Sequence, residues 1–266
     1  MQEKEKVLVN IVKIGGNVID NPEKLKSFLG EFAKIKGPKI LIHGGGKIAT
    51  KIAKDLGIET KMVEGRRITD EAMRDVVTMV YGGLVNKQIV ARLQANNCNA
   101  IGLTGADGKS ILAQKRPVKT IDYGFVGDIL EVNAKFIKSL LDEEIVPVFA
   151  PLTFDMHGDM LNTNADTQAS AVATGLSSLF PTNLVYCFEK KGVLSNPEDD
   201  NSVIRELNPA NYESFKSQGI IYEGMIPKLD NAFAALRSGV SQVTICHADE
   251  LKIALETGNA GTKITL

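Results

Sequence analysis

Short apolar runs that end in glycine alternate along this chain with segments of helical spacing. Residues 7–12 form a β-branched run that stops at Lys13 and a glycine pair, and residues 39–42 form a second that stops at His43 and three glycines. Both read as buried strands. Between them, residues 22–36 place Leu25, Phe28, Leu29 and Phe32 on one helical face, and another helix follows over about 47–56. Strand, helix, strand, glycines, helix is the rhythm of a parallel sheet joined by crossover helices.

The pattern continues less regularly. Residues 59–68 read as a loop or short hairpin, and Thr69 is placed to cap a long helix over 70–96. Gly82 and Gly83 fall inside that helix, at a cost of roughly 1 kcal/mol each relative to alanine. A slight bend explains them, as does close approach of another helix across a dimer axis. Residues 99–103 read as a strand, 105–127 as a turn-rich antiparallel extension, 134–141 as a helix capped by Asn133, and 146–150 as a buried strand. A second half begins near Pro151. Residues 160–163 lead into an alanine-rich helix over 165–176, followed by a strand at 184–188 and a polar turn at 196–201. Helices at 209–217 and 225–238, a strand at 242–246, a short helix at 250–255 and a final edge strand at 262–266 complete the chain. The expected fold is α/β, with one mainly parallel sheet shared by two halves that meet near residues 150–180.

Composition narrows the function. Lys plus Arg is 31 and Asp plus Glu 32, aromatics are 6% and Trp is absent. Neither a basic surplus nor a base-stacking platform is present, which excludes nucleic acid. Cys98, Cys187 and Cys246 are far apart without metal-ligand spacing and read as buried thiols. The charged N-terminus runs straight into a strand, and no window approaches the roughly 18 apolar residues of a spanning helix. A soluble, cytoplasmic protein with no membrane partner is expected.

Four segments carry the chemistry. Lys13 precedes Gly15 and Gly16 at a strand end, where ligands of parallel sheets bind and glycines expose N–H donors to phosphate oxygens. Read alone, Lys13 is equally a strand-end lysine reaching solvent. Gly44, Gly45 and Gly46 follow His43 and open a helix, and a bare turn needs only one glycine. A helix N-terminus favours an anion, whereas His43 reads as a strand-end residue with a structural hydrogen bond. Asn162 and Asn164, two apart on an extended segment, face one side, and Asp166 lies in the first turn of the next helix. Asn164 also suits a plain helix cap. Lys228, after Gly224, Met225, Ile226 and Pro227, sits at the positive end of a helix, where a lysine is disfavoured unless an anion offsets it. Arg67, ahead of the long helix, can grip a carboxylate bidentately or remain a solvated loop charge. Residues 102–110 end in Gly-Lys-Ser but are no nucleotide-binding loop. The first glycine of that motif belongs at position 103, which is leucine.

These segments, with Asn86-Lys87, Val126-Gly127-Asp128 and the run from Gly102 to Gly108, resemble the amino acid kinase superfamily nearly end to end. Within it they are similar to the branch that phosphorylates N-acetylglutamate on the arginine pathway. The resemblance implies a three-layer α/β/α sandwich forming a single domain over 1–266. Its N-terminal half, about 1–160, would bind the acyl amino acid, and its C-terminal half, about 161–266, would bind ATP. It implies ATP-dependent phosphorylation of the γ-carboxylate of an N-acyl-L-glutamate, with Mg2+ carried by ATP and no dedicated metal site. Lys13 and Lys228 would neutralise the phosphoryl group, Asp166 would hold both lysines, and Gly15, Gly16 and Gly45 would bind phosphate. Gly44, Gly45, Arg67, Asn162 and Asn164 would bind substrate. A homodimer with weak or no arginine feedback is expected from the short segment before Lys13. Three alternatives stay open: N-succinylglutamate as acceptor, another carboxylate or phosphate kinase of the superfamily, and a non-catalytic nucleotide or amino-acid sensor. The chain departs from many relatives at residues 188–193, where Phe188-Glu189-Lys190 stands in place of a Thr/Ser-Asp-Val sequence.

Overall fold

A computed structural model of the chain describes residues 7–63, 65–221 and 225–266. In chain order the strands are β1 (Val9–Ile14), β2 (Lys39–His43), β3 (Met62–Val63), β4 (Arg66–Arg67), β5 (Ala100–Leu103), β6 (Ile111–Lys115) and β7 (Gly127–Val132). They continue as β8 (Val146–Phe149), β9 (Leu152–Phe154), β10 (Met160–Asn162), β11 (Thr182–Phe188), β12 (Glu206–Leu207), β13 (Gln242–His247) and β14 (Thr262–Ile264). The α-helices are α1 (Gly16–Ile19), α2 (Pro22–Lys34), α3 (Gly46–Asp55), α4 (Glu71–Val77), α5 (Asn86–Gln94), α6 (Ala134–Asp142), α7 (Ala165–Leu176), α8 (Pro209–Ser217), α9 (Ile226–Arg237) and α10 (Leu251–Glu256). Among the described residues no helix is long and apolar enough to cross a membrane.

The main sheet runs β12-β14-β13-β11-β1-β2-β8-β5, with parallel neighbours except for the antiparallel pair β13 and β14. A second sheet, β10-β9-β6-β7, contains the antiparallel extension, and β3 pairs with β4 as a short hairpin. Alternation on β1 splits its side chains between two cores. Val12 and Ile14 join a cluster with α2, α3, α4, α5 and α10, whereas Val9 and Ile11 join one with α6, α7, α8 and α9. The sheet therefore lies between two helical layers as a three-layer α/β/α sandwich. Each fully buried Leu, Ile or Phe of these clusters contributes roughly 1.5–3 kcal/mol of burial.

Three differences from the sequence pattern matter. Strand β1 continues through Lys13 and Ile14, because both residues pair with β11 on one side and β2 on the other. Lys13 is therefore inside the strand rather than beyond its end, and period-2 alternation puts its side chain on the α7 side with Val9 and Ile11. The long helix runs from Glu71 to Gln94, but its middle, Thr78–Val85, is π-helical, and Asp70 rather than Thr69 caps it by accepting from the Met73 N–H. Thr69 is fully buried and donates instead to the Arg67 carbonyl. Finally, β14 is not the edge of the sheet, because two-residue β12 pairs outside it.

Candidate active site

The chain goes from β1 to β2 on one side of β1 and returns as β11 on the other. The carboxyl ends of these three strands border a crevice of the kind in which open α/β sheets bind ligands. The turns after β1 and β2 are tied together, since the Gly44 N–H donates to the Ile14 carbonyl at 3.2 Å. Gly45 has φ 149°, and a Cβ there would meet the Tyr81 ring at 3.1 and 3.3 Å. Only glycine fits both the backbone and the ring.

Two cavities open at this place. The larger, about 590 Å³, is lined by Lys13, Gly15, Gly16, Gly44, Gly45, Gly46, Lys47, Phe188, Glu189 and Lys228, with apolar walls from Val193, Leu194, Ile221 and Met225. The smaller, about 200 Å³, is lined by Gly44, Gly45, Gly46, Arg66, Arg67, Tyr81, Arg116, Asn162 and Asn164. Gly44, Gly45 and Gly46 line both cavities.

On the larger side, Lys13 Nζ lies 2.6 Å from Asp166 Oδ1 in the first turn of α7. Lys228 Nζ sits 3.7 Å from the centroid of the Phe188 ring, and Lys13 Nζ sits 5.2 Å from the same centroid. The two ammonium groups thus converge on one ring. Asp166 was expected to hold both lysines, but its direct ion pair is with Lys13, and it reaches Lys228 through space. Burial pushes the Lys228 pKa down, the nearby Lys13 charge adds to this, and Asp166 and Glu189 oppose it.

Behind the glycines, His43 is fully buried. Its Nδ1 lies 2.7 Å from the Gly44 carbonyl and its Nε2 lies 3.1 Å from Asn86 Nδ2, which also donates to the Val148 carbonyl at 2.9 Å. Burial pushes the imidazole pKa down to about 4. A neutral ring that donates from Nδ1 and accepts at Nε2 satisfies both contacts. His43 thereby fixes the loop, as a strand-end residue with a structural hydrogen bond.

In the smaller cavity, Arg67 is 8% exposed. Its Nη2 donates to the Gly46 carbonyl at 2.9 Å and to Thr50 Oγ1 at 2.8 Å, and its Nη1 donates to Thr60 Oγ1 at 3.2 Å. It is not a solvated loop charge. Asn162 Nδ2 donates to Thr69 Oγ1 at 3.0 Å. Asn164 Oδ1 accepts from the N–H groups of Asp166 and Thr167 at 2.9 and 3.0 Å, so its helix cap is real. Arg116 is fixed by Asp128, with Nη2 at 2.6 Å and Nε at 3.0 Å from Oδ1.

The lysines, the glycines and Asp166 expected from the sequence are brought together on one side, and Arg67, Asn162 and Asn164 on the other. Gly224 lies outside the described residues. Sequence pattern alone assigned no role to Phe188, Tyr81, Arg116 or Asn86, which the structure adds to the site or its support. Among the described residues no group of three or more His, Cys, Asp or Glu could hold a metal ion.

A parallel-sheet sandwich with paired glycine turns and converging lysines defines a class, and the chain belongs to the amino acid kinase family, whose model matches residues 9–247. It is 59% identical over 256 residues to the acetylglutamate kinase of Cytophaga hutchinsonii, covering 96% of this chain and 97% of that one. It is 53% identical over 264 residues to the acetylglutamate kinase of Bacteroides fragilis, covering 99% of each. Among solved structures, the Streptococcus mutans protein smu.665 superposes with a TM-score of 0.75 at 27% identity, over 97% of this chain and 98% of that one. Carbamate kinase from Giardia lamblia bound to AMP-PNP shares the fold, with a TM-score of 0.68 at 17% identity over 98% of each chain.

Proposed function

We propose that the protein transfers the γ-phosphoryl group of ATP to the γ-carboxylate of N-acetyl-L-glutamate. The observation that carries this reading is the wall of Gly44, Gly45 and Gly46 shared by the two cavities. A nucleotide in the larger cavity and an acyl amino acid in the smaller one would meet at that wall. The name carried by relatives of 53–59% identity supports the same acceptor.

A γ-carboxylate oxygen attacks the γ-phosphorus, the bond from that phosphorus to the β–γ bridging oxygen breaks, and ADP leaves with the electron pair. No proton need be removed, because a glutamate carboxyl of pKa about 4.3 is already ionised at neutral pH. The buried, neutral His43 is accordingly not needed as a base. Lys13 and Lys228 would stabilise the charge of the transferring group, with Asp166 fixing Lys13 and the N–H groups of Gly15, Gly16 and Gly45 meeting phosphate oxygens. Arg67, Asn162 and Asn164 would orient the acceptor, with Gly44 beneath it. The Arg67 Nη groups are committed to Gly46, Thr50 and Thr60, so a bidentate grip on the α-carboxylate would recruit Nε or displace one of these partners. Mg2+ would arrive on the nucleotide and neutralise polyphosphate charge.

One observation favours N-succinylglutamate as a second acceptor. Arg66 and Arg116 line the smaller cavity with Arg67, and even with Arg116 paired to Asp128 this leaves Arg66 beyond the one arginine that an α-carboxylate requires. A homodimer fits the outer strand β5 with Ile101, Met79 and Leu84 exposed along that flank. We place the enzyme in the cytoplasm, where ATP is available. The test is acyl phosphate trapped as hydroxamate, with N-acetylglutamate, N-succinylglutamate, glutamate and aspartate compared side by side. Product from an N-acylglutamate is expected, and product from free aspartate alone sinks the reading.

A further inference from the structure

Phe188 closes β11 with an aromatic ring where the lysines and the glycine turns of the larger cavity meet. It lines the larger cavity, and both ammonium groups lie above it, Lys228 at 3.7 Å and Lys13 at 5.2 Å from the centroid. Two residues earlier on the same face, Tyr186 stacks on Phe188 with centroids 6.1 Å apart and planes 11° from parallel. The Tyr186 hydroxyl donates to the Asp166 backbone carbonyl at 3.3 Å. A closed circuit results: Lys13 to Asp166, Asp166 to Tyr186, Tyr186 to Phe188, and Phe188 back to both lysines.

We propose that Phe188 is a positioning residue whose π face holds the ammonium groups of Lys228 and Lys13 over the point of phosphoryl transfer.

The need for such a partner follows from the charges. Asp166 is paired with Lys13, and Lys228 stands on the first turn of α9, at the positive end of the helix. Among the described residues, the groups acting electrostatically on Lys228 are Asp166 from α7, Lys13 from β1 and Glu189 just beyond β11. A further carboxylate against Lys228 would cancel its charge and repel a polyphosphate. An aliphatic side chain would leave the ammonium with the through-space attraction of Asp166 and Glu189 but no partner in direct contact at this face. An aromatic face attracts the cation through its quadrupole, carries no formal charge, and yields the ammonium to a phosphate oxygen. Tyr186 below keeps the ring in place and couples it to the residue that fixes Lys13.

The inference rests on the phosphoryl-transfer reading, and the test separates the two. In the full chain with ATP and N-acetylglutamate, Phe188→Leu should lower kcat roughly tenfold, with the KM for the acceptor unchanged. Phe188→Tyr should restore the rate. The alkaline limb of the kcat profile should move to lower pH in Phe188→Leu, because loss of the ring leaves the Lys228 ammonium less stabilised. Replacing Phe188 by phenylalanines of increasing fluorination drains the quadrupole with little change of shape, so kcat should fall along the series even if Phe188→Leu does not fold. A flat series with an active unaltered chain overturns the role of Phe188 and leaves the kinase reading intact. NMR titration of the Lys228 side chain needs no acceptor. Its midpoint should fall in Phe188→Leu or in the fluorinated series, and an unchanged midpoint in the variants overturns the proposal even if the acceptor assignment is wrong.

Discussion

Lys13 Nζ and Asp166 Oδ1 lie 2.6 Å apart, and this single contact joins the central strand of the sheet to the first turn of α7 in the second half of the chain. The side chains are only 9% and 16% exposed, so most of the pair is withdrawn from water although Lys13 lines the larger cavity. Removing one partner from such a pair strands the other charge and costs about 3 kcal/mol or more. Asp166→Asn should therefore lower stability toward that amount and reduce turnover as well. The double variant Lys13→Met/Asp166→Leu should recover most of the stability and none of the activity. Urea unfolding and the hydroxamate assay, run on the same samples, check both halves. An active double variant would remove Lys13 from the mechanism.

His43 ties stability to pH. Its pKa is about 4 in the folded protein against 6.5 in a free chain, so between these values the unfolded state binds more protons. Stability is then full above pH 6.5 and falls as the pH drops through that window toward 4. The loss reaches about 3 kcal/mol once the pH is below both values, since each pH unit between them is worth about 1.36 kcal/mol. Unfolding free energies measured from pH 7 to pH 4 should show this slope, and His43→Asn should flatten it. An equal slope in the variant would assign the acid sensitivity to other groups.

Both results concern residues that the sequence exposes to different degrees. Lys13 was legible because a lysine within a run of Val, Ile and Leu has no packing reason to be there. The strand's true end was not, since the ladder that carries β1 through Lys13 and Ile14 depends on two neighbours distant in sequence. Strands β9 and β12 are three and two residues long, too short to display a period. Thr69 and Asp70 are both good caps, and burial of Thr69 against Arg67 decided between them. Phe188 was hidden because a phenylalanine that ends an apolar strand reads as core. Only the folded sheet brings two lysines onto its face.

Gly102 is required by the residue beneath it. A Cβ at this position would collide with Asn86 Oδ1 and lie 2.8 Å from Lys87 Nζ. Asn86 cannot yield without releasing His43 Nε2 and the Val148 carbonyl, the two contacts that secure the loop behind Gly44. Gly102→Ala should thus destabilise by about 1–3 kcal/mol, the range for an overfilled core. It should also raise the KM for ATP, although residue 102 is outside both cavities. Thermal unfolding with and without ADP checks this, and a Tm equal to that of the unaltered chain would contradict the packing described for Asn86.

Arg67 makes its strongest prediction through a substitution that keeps the charge. Its guanidinium bridges the Gly46 carbonyl, Thr50 and Thr60 at once, a fork that a single lysine ammonium cannot span. Arg67→Lys should raise the KM for N-acetylglutamate roughly tenfold or more, by loss of charge-assisted hydrogen bonds worth about 1.5–3 kcal/mol. A smaller rise in the KM for ATP should accompany it, because the Gly46 carbonyl loses its brace on the wall between the cavities. Arg116→Ala provides the control from the same cavity. Arg116 is held by Asp128 and, among the described residues, makes no hydrogen bond to the glycine turn, unlike Arg67, so its loss should leave N-acetylglutamate kinetics nearly unchanged and penalise N-succinylglutamate, if that acceptor is used. Steady-state kinetics with both acceptors decide the matter. Equal effects of the two arginine substitutions on both acceptors would mean that the cavity does not divide its cations between an α-carboxylate and an acyl group.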